Sequence, residues 1–479
     1  MPVLSVPETA FVSAKIEQSG VLIDAEAYYG TLYRACEQAE RFVLISGWQF
    51  ETGFKLLRGA AELSATRPVK FLEFLNALCD ARPELRIYLL AWQYSFVYAH
   101  DREPDQKAKF TGKNPRISFA WDPHPAVEGS HHQKFVVVDG ALAFLGGIDL
   151  CDARWDDCEH RAENTERVNV TGDPCKPYHD VQACFTGPLV KSVSEIFCER
   201  WGRATDRHLE LPAASRRRFE LTALSDGVLE PVHVQHAALS RTQLDVRAES
   251  GPITEIRSLF ASAIASAERL IYAETQYFTS RTIARLLLER LRDEARSKLE
   301  IVIVLPHGAD TKMEKLALGD TEEGVLAEVL SVARDTGHEL RLIHPASRDS
   351  CGNEIATFIH SKILIVDDRL LMVGSPNWTE RSVALDTELA ITWECERTHA
   401  ASECVRSIRT RLLAEHSGCS AAEFEPISGL CAKIDALIAA GSTRLRKREV
   451  GDSSALGALL GELFDPAAAE AADWHQFAK

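Results

Sequence analysis

The fold is decided by two stretches of the sequence, SHHQKFVVVDGALAFLGGIDL (residues 130–150) and FIHSKILIVDDRLLMVGSPNW (residues 358–378). Both contain one pattern, in which His-x-Lys is followed by Asp after four more residues. The first copy is His132, Lys134 and Asp139, and the second is His360, Lys362 and Asp367. Corresponding residues lie 228 positions apart, and the same interval separates Gly146 from Gly374. One such short pattern is a weak signal, whereas two copies in matching segments indicate an internal repeat.

The repeat extends upstream of these two segments. AERFVLISGWQF (residues 39–50) and AERLIYAETQYF (residues 267–278) also lie 228 positions apart and begin with the same three residues. Between these anchors, LRIYLLAW (residues 85–92) best matches LEIVIVLPH (residues 299–307) at an interval of 214. Insertions in both copies explain this slip, and insertions of this kind are surface loops. The sequence therefore predicts an α/β protein built from two homologous repeats, each a mixed sheet flanked by helices.

Each signature segment is predicted to form a β-hairpin. FVVVD and ILIVD are apolar and rich in β-branched residues, as strands are. Asp139-Gly140 is a strong turn signal, and Asp367-Asp368-Arg369 fills the same place with residues that favour the turn less. The return strands end at Gly146-Gly147 and at Gly374-Ser375. A small or absent side chain at these positions lets a ligand approach the backbone.

The spacing places an imidazole and an ammonium group on one face of each hairpin, because alternate side chains on a strand point the same way. If the copies pack about a pseudo-twofold axis, both sets meet in one shared active site. Such a set suits phosphodiester chemistry: one imidazole attacks phosphorus, the other protonates the leaving alkoxide, and the ammonium groups stabilise charge on the oxygens. No metal or cofactor is expected. The alternative is a pair of surface hairpins with solvated polar ends.

At this point the chain resembles the phospholipase D superfamily, whose signature is the duplicated HxKxxxxD. Four further stretches resemble its phosphatidylcholine-type branch: GGIDLCDARWDDCEHR (146–161), KPYHDVQACFTGPLVKSVSEIFCERW (176–201), AETQYF (273–278) and GSPNWTERS (374–382). Tyr178 stands where this family usually has Trp, and Thr275 stands where it usually has Asn. The resemblance implies a lipid-hydrolysing enzyme, since nuclease members usually carry one signature and dimerise.

The resemblance also implies a role for each matched residue. His132 is expected to be the nucleophile and His360 the acid and base, although the symmetry of the repeat leaves their order open. Asp139 and Asp367 are expected to be structural and to close the hairpin turns. The residues expected to bind phosphate or to support the site are Lys134, Lys362, Gly147, Ser375 and Asn377.

One further acid is expected to orient a catalytic histidine. Glu388 resembles the family's downstream acid, which would accept the second N–H of His360 and so fix its tautomer. The same interval of 228 places His160 at the corresponding position of the first copy. The acid of the first copy therefore stays open, and the candidates are Asp149, Asp156 and Glu166.

The remaining histidines and the cysteines do not indicate a metal site. The histidines near the first signature are His124, His131, His160 and His179, and their spacings fit no recognised zinc pattern. The 12 cysteines contain no CxxC pair and no dense framework. They are typical of reduced thiols in a cytosolic chain.

Composition and charge describe an ordinary soluble enzyme. The net charge of −16 disfavours a large footprint on nucleic acid and long-range attraction to anionic membranes, so only transient contact with a membrane surface is expected. The N-terminus lacks a basic start and an apolar core, so no signal peptide is predicted. The sequence contains no run of about twenty apolar residues, so no transmembrane helix is predicted. We expect a cytoplasmic monomer, with export independent of a signal peptide or peripheral membrane association as the alternatives.

The sequence predicts four parts of the chain. They are a first repeat (1–205), a connector (206–251) with a strand near residues 232–237, a second repeat (252–417) and a helical C-terminal extension (418–479). The expected activity is metal-independent hydrolysis of glycerophospholipids to phosphatidate and a headgroup alcohol through a phosphohistidine, with transphosphatidylation. The rivals are a cardiolipin-synthase-type phosphatidyl transferase, a nuclease or other phosphodiesterase, and an inactive scaffold.

Overall fold

The computed structural model describes residues 2–93, 103–126, 129–215, 217–244, 252–308, 319–395, 399–451 and 465. Contacts divide the chain into two compact units, Val12–Ala238 and Met1–Phe11 with Leu239–Lys479. Each unit contains one copy of the signature, as a duplication predicts. The contacts give one division near residue 238, whereas the sequence suggested boundaries at 205, 251 and 417. The four-part division stays a prediction.

The first unit, Val12–Ala238, contains ten complete strands and six helices in its described part. The strands are β1 (Val12–Lys15), β2 (Ser19–Ile23), β3 (Phe42–Gly47), β4 (Arg86–Trp92), β5 (Ile117–Asp122), β6 (Lys134–Val138), β7 (Leu142–Gly146), β8 (Tyr178–His179), β9 (Val181–Thr186) and β10 (Glu230–Pro231). The helices are α1 (Asp24–Glu37), α2 (Gly59–Leu63), α3 (Phe71–Ala81), α4 (Gln106–Thr111), α5 (Leu189–Thr205) and α6 (Leu221–Leu224). Strand β11 (His236–Gln243) carries the chain across the division between the units.

The sheet of the first unit is mixed. Its strand order is β10-β2-β9-β7-β6-β3-β4-β5, with β3, β4 and β5 parallel and the other neighbours antiparallel. Parallel neighbours need crossover connections, and helices α3 and α4 lie in the two connections here. Strands β6 and β7 lie in the middle of the sheet and are buried along their whole length. Continuous apolar runs such as FVVVD suit a strand that is covered on both faces.

The second unit contains the remaining elements of the described chain. Its strands are β12 (Ile253–Thr254), β13 (Leu270–Glu274), β14 (Glu300–Val304), β15 (Glu339–Arg348), β16 (Glu354–Ala356), β17 (Phe358–Ile359), β18 (Ile363–Val366), β19 (Leu370–Gly374), β20 (Glu388–Glu394) and β21 (Leu445–Lys447). Its helices are α7 (Glu255–Ser266), α8 (Arg281–Arg292), α9 (Asp320–Asp335), α10 (Glu380–Ala384), α11 (His399–Ser417) and α12 (Leu430–Ala439), and a 3₁₀ turn covers Ala421–Phe424.

The sheet of the second unit repeats the order of the first. The strands β20-β19-β18-β13-β14-β15 correspond to β9-β7-β6-β3-β4-β5, with the same parallel and antiparallel neighbours. Pairing confirms both sequence intervals, because Ile45 lies opposite Leu89 and Ala273 lies opposite Ile303. The first members of these pairs are 228 positions apart and the second members are 214 apart.

Each unit has its own hydrophobic core on the helix-covered side of its sheet. In the first unit α1 and α3 contribute buried Tyr29, Phe71 and Phe74, which pack with residues of the central strands. In the second unit α7 and α8 contribute Phe260 and Leu287 in the same manner. The sheets with helices in these positions confirm the predicted mixed α/β repeats.

Both signature hairpins turn with the same backbone geometry. Asp139 and Gly140 have φ values of 54° and 66°, and Asp367 and Asp368 have values of 55° and 53°. Positive φ at both central residues is the type I′ pattern, which Asn, Asp and Gly tolerate best. In the second hairpin Arg409 donates to both carboxylate oxygens of Asp368, at 2.6 and 2.7 Å. This buried ion pair offsets the poorer turn sequence.

Two expectations about the connector and the tail are corrected. The strand expected near residues 232–237 is replaced by β10, which ends at 231, and by β11, which begins at 236. The tail from residue 418 is not purely helical, because β21 pairs antiparallel with β15. The rest of the expected extension, residues 452–464 and 466–479, lies outside the described residues. Within the described ranges, none of the helices has the length and apolar character needed to cross a membrane.

Candidate active site

Asp139, the last residue of the first signature, holds the start of a neighbouring strand. Its carboxylate accepts the backbone N–H groups of Glu40, Arg41 and Phe42 at 2.7, 2.8 and 2.9 Å. The backbone N–H of Asp139 in turn donates to the carbonyl of Phe42 at 2.9 Å. The residue is fully buried. Asp139 therefore ties the signature hairpin to β3, in addition to lying in the turn.

Asp367 makes the same contacts in the second unit. Its carboxylate accepts the backbone N–H groups of Glu268, Arg269 and Leu270, each at 2.8 Å. These acceptor positions and their donors are 228 residues from those of Asp139. The repeated Ala-Glu-Arg of the sequence is thus the partner of the repeated Asp. Both aspartates thus bind the backbone at the start of a neighbouring strand, and their structural role stays a prediction.

Each signature lysine is bound to the backbone of its own histidine. The Nζ of Lys134 donates to the carbonyl of His132 at 3.0 Å and lies 3.4 Å from Asp149 Oδ2. The Nζ of Lys362 donates to the carbonyl of His360. Both lysines are buried, His360 is buried, and His132 is partly exposed. The ammonium group of each copy is therefore held against the backbone of the signature histidine.

Asp149 and Asn377 occupy equivalent positions after the two return strands. Asp149 Oδ1 accepts the backbone N–H of Trp48 at 2.8 Å. Asn377 lies 228 residues later, and its buried side-chain oxygen has no hydrogen-bond partner in the part of the chain that the structure describes. Buried polar groups are rarely left unsatisfied. The expectation that Asn377 binds phosphate stays a prediction.

Glu388 is fully buried and accepts two hydroxyl protons. Ser375 Oγ donates to Glu388 Oε2, and Ser382 Oγ donates to Glu388 Oε1 at 2.7 Å. A hydroxyl carries one proton, so in this arrangement the hydroxyl of Ser375 is directed to Glu388. The expectation that Ser375 binds phosphate and the expectation that Glu388 orients His360 stay predictions.

The sheet register identifies the acid of the first copy, which the constant interval missed. The glycines that end the return strands pair with equivalent residues of the next strand, Gly146 with Gln182 and Gly374 with Ala390. Glu388 precedes its paired residue by two positions, and so does Asp180. The residue equivalent to Glu388 is therefore Asp180, and the assignment of His160 to this position is wrong.

Gly147 is explained by the same acid. A Cβ atom at Gly147 would lie 2.2 Å from Asp180 Oδ1, which is far inside contact distance. Ser375 is the equivalent residue of the second copy and there donates to its acid. The first copy thus uses an absent side chain where the second uses a hydroxyl. The signal in the sequence was the match of HDVQACFT with TELAITW, in which an acid lies at the start of a buried strand.

Two other candidate acids of the first copy, Asp156 and Glu166, bind neighbouring groups of the first unit. Asp156 accepts from Arg167 Nη1 at 2.7 Å and lies 2.9 Å from His160 Nδ1. Burial alone would raise the pKa of Asp156, but His160 and Arg167 hold it below its ordinary value. Glu166 accepts the backbone N–H of Gly59 at 3.1 Å. Asp156 thus takes part in a buried ion pair and Glu166 in a turn, and the acid that orients the histidine of the first copy stays a prediction.

One group of side chains in the first unit has the composition of a metal site. The donor atoms of Asp24, His160 and His179 lie within 4.8 Å of one another, and zinc accepts carboxylate and imidazole ligands. Asp24 also lies 3.3 Å from His160 Nε2 and 3.0 Å from His179 Nδ1. At these distances each imidazole can donate a hydrogen bond to the Asp24 carboxylate, which accounts for the close packing without an ion. The expectation of no metal site stays a prediction.

Comparison with known proteins agrees with the repeat. The family model described as "Phospholipase D" matches residues 35–295, and "Cardiolipin synthase, PLD-like domain" matches residues 260–409. Phospholipase D A of Dictyostelium discoideum is 25% identical over 86% of this chain and 36% of its own length. Phospholipase D alpha 1 of Vigna unguiculata is 23% identical over 82% of this chain and 64% of its own length.

A solved structure shows the same fold at low identity. The phosphatidylserine synthase of Haemophilus influenzae Rd KW20 matches with a TM-score of 0.55 and 12% identity, over 90% of this chain and 95% of that one. The chain spans about a third of the length of the Dictyostelium relative, at 36%. Since the first family model covers more than half of the 479 residues, the chain belongs to the phospholipase D family.

Proposed function

We propose that the protein is a phospholipase D, which hydrolyses glycerophospholipids to phosphatidate and a free headgroup alcohol. The observation that carries this proposal is the equal construction of the two signatures. In each copy the aspartate accepts three backbone N–H groups at equivalent positions, and the lysine donates to the carbonyl of its histidine. Two hairpins with solvated ends would have no reason to bury both lysines.

The first proposed step forms a covalent intermediate. The neutral imidazole of His132 attacks phosphorus, and the bond from phosphorus to the headgroup oxygen breaks. The leaving alkoxide takes a proton from protonated His360. Lys134 and Lys362 stabilise the charge that develops on the phosphate oxygens. We propose that both signatures take part in this step.

The second proposed step returns the enzyme to its starting state. His360, now neutral, takes a proton from water, and the resulting hydroxide attacks phosphorus. The bond from phosphorus to the His132 nitrogen breaks, and phosphatidate leaves. Asp180 and Glu388 are proposed to orient the histidines by accepting their second N–H. The charges in both steps come from side chains, so the proposed chemistry requires no metal.

The substrate determines where the protein must work. A glycerophospholipid resides in a membrane or micelle, so turnover requires transient contact with a lipid surface. The net charge of −16 supports local contact rather than long-range attraction to anionic lipid. We propose that the protein is a monomer, because each chain carries both signatures. We also propose that it acts from the cytoplasm.

A phosphatidyl transferase of cardiolipin-synthase type is the second candidate. The match of residues 260–409 to the cardiolipin synthase model favours it. Its first step would be the same, but the hydroxyl of a second phosphatidylglycerol would replace water. The two functions therefore differ only in what accepts the phosphatidyl group.

A panel of substrates tests the proposed function. The full chain is incubated with mixed micelles of phosphatidylcholine, phosphatidylethanolamine or phosphatidylglycerol, and separately with plasmid DNA, and products are identified by mass spectrometry. We expect equal amounts of phosphatidate and headgroup alcohol, with the plasmid intact. The Lys362→Ala variant controls for contaminating lipases.

Two results would redirect the proposal. Glycerol release from phosphatidylglycerol with formation of cardiolipin, in place of phosphatidate, would establish the transferase. Plasmid nicking without any lipid cleavage would establish a nuclease and would reject the phospholipase.

A further inference from the structure

The middle residue of each signature faces away from the histidine and the lysine. Gln133 and Ser361 lie in the segments that lead into β6 and β18, and each binds a side chain of its own unit. Both middle residues are fully buried. Their side chains therefore meet the interior of their own unit and not the substrate.

In the first unit the middle residue meets a buried cation. Arg200 Nη1, from helix α5, donates to Gln133 Oε1 at 2.8 Å and to Ser46 Oγ at 2.9 Å. Arg200 is held by Asp122, whose Oδ2 accepts from Arg200 Nε at 2.9 Å. Burial alone would raise the pKa of Asp122, but Arg200 and His131 hold it below its ordinary value. The buried arginine is thus paired with a carboxylate and binds the signature from beneath.

In the second unit the middle residue meets a buried carboxylate. Glu274, at the end of β13, accepts the hydroxyl protons of Ser361 and Tyr272. His416 Nε2, from helix α11, lies 2.9 Å from Glu274 Oε1. All four side chains are fully buried. Glu274 therefore binds the second signature as a hydrogen-bond acceptor, where Arg200 binds the first as a donor.

The sheet residues of the two networks, Ser46 and Glu274, occupy corresponding places in the repeat, whereas Arg200 comes from helix α5. Ser46 lies opposite Phe135 in the sheet, and Glu274 lies opposite Ile363. Both pairs are related by the interval of 228. The middle residue of each signature is thus hydrogen-bonded to a buried side chain of its unit. The partner is an arginine donor from a helix in the first unit and a carboxylate acceptor from a strand in the second. A retained contact with altered chemistry indicates that the position of the middle residue is what matters.

We propose that Arg200 and Glu274 are positioning residues, each of which fixes one signature strand through its middle residue. This inference rests on the proposed function. Arg200 binds the side chain of Gln133, and Lys134 binds the carbonyl of His132. These two contacts together fix the backbone from His132 to Lys134. A displacement of about 1 Å at a reacting group can reduce turnover by roughly a hundredfold. Loss of an anchor should therefore lower kcat and leave KM nearly unchanged, since neither anchor meets the substrate.

A matched pair of variants in the second unit tests the proposal. Ser361→Ala and Tyr272→Phe each remove one hydroxyl proton from the same buried carboxylate of Glu274. We expect similar decreases in melting temperature, because the loss to folding is alike. We expect kcat to fall by about tenfold or more for Ser361→Ala and to stay within about twofold for Tyr272→Phe. Ser361→Thr keeps the hydroxyl and should restore most of the rate.

The first unit offers an independent pair. Gln133→Leu removes the acceptor on the signature, and Ser46→Ala removes the other acceptor of the same Arg200 nitrogen. We expect a kcat loss in Gln133→Leu that is at least about fivefold larger than in Ser46→Ala. Equal kcat losses within both pairs, or losses seen in KM alone, would overturn the positioning role.

The substrate separates this proposal from the proposed function. Rates are measured on bis(p-nitrophenyl) phosphate, a soluble diester, as well as on phosphatidylcholine micelles. A wild type that cleaves only the soluble diester would reject the phospholipase while the variant pairs still test the anchors. A wild type that cleaves both, with no difference within the pairs, would reject the anchors alone. A wild type inactive on both substrates would reject both.

Discussion

His132→Ala and His360→Ala should each lower headgroup release by on the order of 10⁴-fold or more, while the protein stays folded. In the proposed mechanism one imidazole forms the bond to phosphorus and the other supplies the proton to the leaving group. Neither step proceeds at the normal rate without the other. The double variant should therefore be no slower than either single variant, since residues that act as a unit give non-additive losses.

Turnover is measured on phosphatidylcholine micelles, and folding is followed by circular dichroism and by melting temperature. His208→Ala is the matched control, because His208 is exposed and lies outside both signatures. A folded His132→Ala protein that turns over at the wild-type rate would remove His132 from the mechanism. Additive losses in the double variant would mean that the two histidines act in separate reactions.

Asp139→Ala should lower the free energy of unfolding by about 3–5 kcal/mol, the largest stability effect that we expect. The change removes the acceptor of three backbone N–H groups and leaves those donors without a charged partner. Asp367→Ala removes the same three bonds from the second unit, but Asp367 is partly exposed, so water can satisfy part of the loss. Its effect should be smaller than that of Asp139→Ala.

Asp226→Ala controls for the backbone. Asp226 has a φ of 55°, against 54° for Asp139, so alanine meets the same left-handed conformation there. Asp226 is exposed and lies outside the signatures. Urea unfolding is followed for all three variants. If Asp139→Ala is no less stable than Asp226→Ala, the three N–H contacts do not hold the hairpin as described.

The signature hairpins were the part of the fold that the sequence predicted best. Strand runs, the Asp139-Gly140 turn and the small residues after the return strands are local features, and local features can be read from spacing. The turn at Asp367 and Asp368 was harder to predict, because it depends on an ion pair with Arg409. That arginine is 41 residues away in helix α11, and no local pattern connects it with the turn.

The acid of the first copy shows where a constant interval fails. The interval of 228 holds from residue 39 to residue 50 and again through the signature, because β3, β6 and β7 align residue by residue with β13, β18 and β19. Beyond Gly146 the loop before β9 is longer than the loop before β20. An interval carried across this insertion reaches His160, whereas strand pairing reaches Asp180. Insertions shift numbers but leave hydrogen-bonded neighbours in place.

The anchors beneath the signatures could not be predicted for a related reason. Arg200 and His416 lie on helices far along the chain from the residues they contact. Their partners in the sheet, Ser46 and Glu274, differ in chemistry although they are equivalent in position. Strand β21 was also not predicted from the sequence. Its residues, Leu445–Lys447, lie in a basic stretch and pair with β15, and no apolar pattern there predicts a strand.

The central claim is a phosphohistidine intermediate in the hydrolysis of a phospholipid, and adding ethanol during turnover tests it most directly. After the headgroup leaves, the phosphatidyl group waits on His132 for any hydroxyl that reaches the base. Ethanol is small and enters a lipid site readily. The account predicts that phosphatidylethanol replaces part of the phosphatidate, that headgroup release is unchanged, and that the configuration at phosphorus is retained. Headgroup release without phosphatidylethanol, together with inversion at phosphorus, would contradict it, since water would then attack the diester directly.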